Sequence, residues 1–94
     1  MGGDVFLEVF QLNRAALIGI MIEDNKVSPK INEILHEYSE YIIGRMGIPN
    51  VKTNLSVISV VINAPSDVIN TISGKLGRID GVTSKTIFSK AEEV

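Results

Sequence analysis

Cysteine is absent from the chain, which excludes disulfides, thiolate metal sites and cysteine nucleophiles. Histidine occurs once, at His36, so no two histidines of one chain can share a metal. Basic residues are not in excess: 9 Lys and Arg stand against 11 Asp and Glu, a net charge of −2. Holding nucleic acid by phosphate neutralisation needs clustered cations, so direct nucleic-acid binding is not expected. No apolar run approaches the roughly 20 residues that span a bilayer. The apolar N-terminus is interrupted by Asp4 and Glu8, follows no basic stretch and precedes no small-residue cleavage site, so it makes a poor signal peptide. The expectation is a soluble cytoplasmic protein with no membrane partner.

Catalytic signatures are missing as well. No serine sits in a Gly-x-Ser-x-Gly elbow, and there is no Gly-x-x-x-x-Gly-Lys-Ser/Thr phosphate loop. Gly74-Lys75-Leu76-Gly77 holds Gly and Lys at the wrong end of a helix to cradle phosphate. The lone histidine is poorly placed to activate a serine. No enzyme is expected.

What remains is a chain of 94 residues, 45% apolar and 21% charged, ordinary values for one small globular domain. A domain of this size buries roughly 60–65% of its unfolded surface, so its core is small and association would help it.

The apolar run Ala15–Ile22 suits a strand covered on both faces. The polar loop Glu23-Asp24-Asn25-Lys26 ends it. Val27, Ile31, Ile34, Leu35 and Tyr38 then recur at the helical period, with Ser28 or Asn25 as cap and Pro29 in the first turn. Tyr41–Pro49 reads as a second strand, ended by Pro49-Asn50, and Leu55–Ile62 as a third, rich in β-branched residues. Pro65-Ser66-Asp67 opens a second helix with the stripe Val68, Ile69, Ile72 and Leu76, stopped at Gly77. A turn at Asp80-Gly81 leads into a last strand, Val82–Phe88.

The order β-α-β-β-α-β predicts an α+β, ferredoxin-like fold: a four-stranded antiparallel sheet with two helices on one face. The first and third strands are expected at its centre, the second and fourth at its edges. The domain is expected over residues 15–90, followed by a loose tail at 91–94. Residues 1–14 form an N-terminal extension, in which Val5–Phe10 reads either as an extra edge strand or as a segment outside the core.

The central strands do not alternate apolar with polar. If Ile18, Ile20, Ile22, Ile58, Val60 and Ile62 meet the helices, then Leu17, Gly19, Met21, Val57, Ser59 and Val61 line the face without helices. That face is too apolar for a monomer in water, and a second copy is expected to cover it, in a dimer or a tetramer. Along the second strand, simple alternation puts Ile42, Gly44, Met46 and Ile48 on the helix side, with Gly44 letting a helix come close. Arg45 and Gly47 then project on the helix-free side, where a guanidinium drawn into an interface would need a carboxylate or a bound anion. The plainer alternative is that Arg45 reaches into water. Asp24 and Asn25, in the loop after the first strand, complete the expected ligand contacts. Glu33 and His36 match half of a di-iron ligand pair that a second copy would complete, though a solvated helix face accounts for them more simply.

Three stretches carry a family resemblance: Gly19–Asp24, Ile31–Tyr38 and Tyr41–Pro49, the last containing Ile-Ile-Gly-Arg-Met-Gly-Ile-Pro. With Ile58-Ser59-Val60-Val61 and Gly74-Lys75-Leu76-Gly77, the sequence resembles the iron-only hydrogenase system regulator family over roughly residues 15–90. The resemblance implies an ACT-like fold, related to the C-terminal sensor domain of the nickel-responsive repressor. It also implies a non-enzymatic regulatory role exercised through a small-molecule effector or a hydrogenase-related protein. No cofactor follows from it. Amino-acid-binding ACT domains carry an Asp-x-Pro-Gly turn after the first strand, where this chain has Glu23-Asp24-Asn25-Lys26-Val27. Nor does it have the several histidines and the cysteine with which the nickel repressor holds its metal. An N-terminal segment of 14 residues is too short for that repressor's ribbon-helix-helix unit.

Overall fold

The computed structural model describes residues 12–90; the segment Val5–Phe10 and the tail 91–94 lie outside them. Four strands form one antiparallel sheet: β1 (Asn13–Ile22), β2 (Ile42–Lys52), β3 (Leu55–Pro65) and β4 (Val82–Phe88). Their order across the sheet is β2-β3-β1-β4, so the two isoleucine-rich strands are central, as expected. Helices α1 (Ser28–Glu37) and α2 (Ser66–Gly77) connect them, with short 3-10 turns at Asn25–Val27 and Ser39–Tyr41.

The core lies between the helices and one face of the sheet. Ile18, Ile20 and Ile22 of β1 and Ile58, Val60 and Ile62 of β3 are buried there. Ile31 and Leu35 of α1 and Ile69, Ile72 and Leu76 of α2 close it, with Val27, Ile34, Tyr38 and Val68 packed at its border. Both helical stripes match the spacing of the sequence. Each fully buried aliphatic side chain stabilises the fold by about 1.5–3 kcal/mol.

The capping differs from expectation. Neither Ser28 nor Asn25 caps α1, whose N-cap is Val27 with no side-chain bond. Asp24 caps the preceding 3-10 turn instead, its Oδ1 accepting from the Lys26 amide at 3.0 Å. That turn already supplies the start of the chain's rotation, so the helix needs no separate polar cap.

The larger correction concerns β2. Ile42 pairs with Ile62, but the next pair is Gly44 with Val61, so Ile43 is an extra residue, a β-bulge. The bulge reverses every side chain after it. Arg45 pairs with Val60 and Gly47 with Ile58, both on the helix side of the sheet. Gly44, Met46 and Ile48 pair with Val61, Ser59 and Val57 and occupy the helix-free side. Gly44 therefore does not admit a helix; a Cβ placed there would meet nothing within 4 Å. The strand also runs past Pro49-Asn50, through a second irregularity between Ile48 and Lys52 where Asn50 takes φ 52°. An edge strand tolerates both the proline and the kink.

Candidate functional site

Beyond Ile42, β2 is exposed along its whole length. A gap therefore opens between this strand and α1, and two adjoining clefts occupy it. The larger, about 430 Å³, is lined by Asn32, Leu35, His36, Ser39, Ile42 and Arg45. The smaller, about 230 Å³, is lined by Ile22, Ile48, Pro49, Val57 and Ile58, of which Ile22 and Ile58 turn their side chains to the helix side of the sheet. Ser28, Ser56 and Gly47 complete it, and Asn32 and Arg45 belong to both clefts.

Arg45 stands at the junction because the bulge at Ile43 swings it to the helix side. There its Nη2 donates to Asn32 Oδ1 at 2.7 Å, which orients the guanidinium fork. Asn32, Leu35, His36 and Ser39 follow one another at i, i+3, i+4 and i+7, the spacing that lines up one side of a helix. Asn32 and Ser39 were not read from the sequence as site residues; that spacing is the signal that could have found them.

The other expected ligand residues are distributed unevenly. Arg45 and Gly47 share the smaller cleft. Asn25 sits at its margin, its Oδ1 accepting from Ser56 Oγ at 3.0 Å and its Nδ2 donating to Asn50 Oδ1 at 3.5 Å. Asp24 lines neither cleft. It serves the fold, as a cap and as the neighbour of Gly81. Glu33 is exposed and is not part of either lining, so His36 faces Arg45 across a cleft without it. Among the described residues, no three His, Cys, Asp or Glu side chains cluster so as to hold a metal, and no helix is long and apolar enough to cross a membrane.

The helix-free face is the second feature. The strand registers arrange it in three rows running across the sheet. Ile87, Leu17, Val61 and Gly44 form one; Lys85, Gly19, Ser59 and Met46 the next; Thr83, Met21, Val57 and Ile48 the third. Leu17, Met21 and Val61 are 38%, 46% and 43% exposed, too much for residues of their size in a sealed core. Lys85 is the one charged side chain in the three rows. At the centre, Gly19 and Ser59 make a trough between the ridges Leu17–Val61 and Met21–Val57.

A four-stranded antiparallel sheet with two helices on one face, in the order β2-β3-β1-β4, defines a ferredoxin-like α+β domain. Residues 14–86 match the TM1266-like family model, described as "Iron-only hydrogenase system regulator, putative". The chain belongs to that family. A solved structure titled as that of "uncharacterized protein TM1266 from Thermotoga maritima" is 39% identical, with a TM-score of 0.78, over 83% of this chain and 99% of that one. No curated protein is significantly similar to the chain.

Proposed function

We infer that this chain is a non-enzymatic regulatory domain that acts as an assembly of its own copies and responds to a small effector held at Arg45. The observation that carries the reading is the ridged helix-free face, apolar but for Lys85 at its β4 edge. Its partner is a second copy, because the face suits itself. The row of small residues at Gly19 and Ser59 leaves room for a row of larger ones such as Leu17 and Val61 from another molecule. Covering roughly 300 Å² of apolar surface on each of two copies, at about 25 cal/mol per Å², contributes on the order of 15 kcal/mol. Association costs about 4–15 kcal/mol, so this burial is of the size needed to offset it. The family description supports a regulatory role in the iron-only hydrogenase system, where the effector or a hydrogenase-related protein would be the signal.

A thermal-shift screen against amino acids, nucleotides, simple anions and divalent metals tests the effector. The expected result is a melting rise with an anion that disappears in Arg45→Ala. A rise with a metal that disappears in His36→Ala would instead make this a metal-binding protein. No rise with any compound would leave a ligand-free adaptor and end the sensor reading.

A further inference from the structure

The two clefts beside Arg45 differ in chemistry. In the larger, a guanidinium, the His36 imidazole, the Ser39 hydroxyl and the Asn32 amide surround one space. The His36 and Ser39 side chains make no hydrogen bond with any described residue. The Asn32 Oδ1 is spent on Arg45, which leaves its Nδ2 free to donate. No carboxylate lines either cleft, although acids outnumber bases in the chain. Arg45 has no acidic partner among the described residues, so its charge is unspent.

The smaller cleft is apolar at its wall. It stays open because Gly47 has no side chain: a Cβ there would meet only Ile58 Cγ1, at an ordinary 3.8 Å. The backbone does not require glycine at this position, since its φ is not positive. Residue 47 could carry a side chain, and a larger one would fill the space.

We propose that the paired clefts hold one amphipathic organic anion, its head on Arg45, His36 and Ser39 and its short apolar tail in the smaller cleft over Gly47. The inference rests on the reading of Arg45 as the effector contact and adds the class of ligand. The head is a carboxylate or a phosphate monoester, both of which suit the planar donor fork of arginine. An α-amino acid fits poorly, because its ammonium would find no carboxylate in either lining. Asn32 holds the guanidinium in place beforehand, which lowers the cost of ordering it on binding.

Titration calorimetry with hexanoate and hexyl phosphate, against acetate, inorganic phosphate and hexylamine, tests this. At least one six-carbon anion should bind about tenfold more tightly than its tailless counterpart, and the better of the two identifies the head group. Arg45→Gln should weaken it by about tenfold or more, the size of a lost charge-assisted hydrogen bond. Gly47→Val should remove the gain from the tail while leaving the tailless anion unchanged, which a general loss of folding would not do. Arg45-dependent binding with no gain from the tail would overturn the two-part ligand and leave the effector reading standing. Binding of hexylamine as tight as that of hexanoate, or no anion binding at all, would overturn both.

Discussion

Glycines 81 and 19 play opposite parts. Gly81 takes φ +81°, and a Cβ there would lie 3.2 Å from the Asp24 Cβ, while its carbonyl accepts from the Glu23 amide at 2.7 Å. Conformation and space both require glycine. Gly81→Ala should lower unfolding free energy by about 1–2 kcal/mol in urea titration; an unchanged midpoint would contradict this account of the turn. Gly19 has no such reason, because a Cβ there would meet only the Lys85 carbonyl, at 3.9 Å. The Arg45–Asn32 pair shows where residue-level reading stops. The letters Ile42, Gly44, Met46 and Ile48 alternate without interruption, so nothing in them marks Ile43 as the bulge. The insertion is set by how β2 meets β3, and it moved Arg45 from the bare face into the cleft.

Among the elements, those with a strong period were fully legible. The α1 and α2 stripes fell where their apolar spacing put them, and β1 and β3 fell at the centre of the sheet, where their continuous apolar runs put them. Leu35→Ala, in the last turn of α1 and 1% exposed, should cost about 2–5 kcal/mol by chemical denaturation. The edge strand was less legible. With both faces exposed, β2 carries no burial pattern to fix its register or its end. Its bulge, Pro49, Arg45 and Lys52 are the features that keep an open edge from pairing with other chains.

The two helices are joined at their outer surface. Lys75 Nζ lies 3.5 Å from Glu37 Oε1 and 5.0 Å above the Tyr38 ring. Its pKa is raised above the ordinary lysine value, chiefly by the polar contact with Tyr38 and further by the Glu37 carboxylate. A raised lysine pKa stabilises the fold below the unfolded-state value and loses that contribution as pH climbs through the folded-state value. Lys75→Met should therefore lower the melting temperature slightly at neutral pH. The gap to the parent protein should close in strongly alkaline buffer; a gap independent of pH would assign the effect to packing alone.

At the scale of the molecule, a small sheet sealed on one side by helices leaves its other side apolar and exposed, and our proposal is that a second copy covers it. The apolar residues of β1 and β3 were legible in the sequence, but the ridges and trough needed the registers of all four strands. Sedimentation equilibrium tests the central claim most directly. The protein should sediment at micromolar concentration as a dimer or a tetramer. Gly19→Val fills the trough at a position where a Cβ meets only the Lys85 carbonyl, at 3.9 Å, and should shift the protein to the mass of one chain with its far-UV circular dichroism unchanged. A parent protein that sediments as a monomer at that concentration would contradict the account.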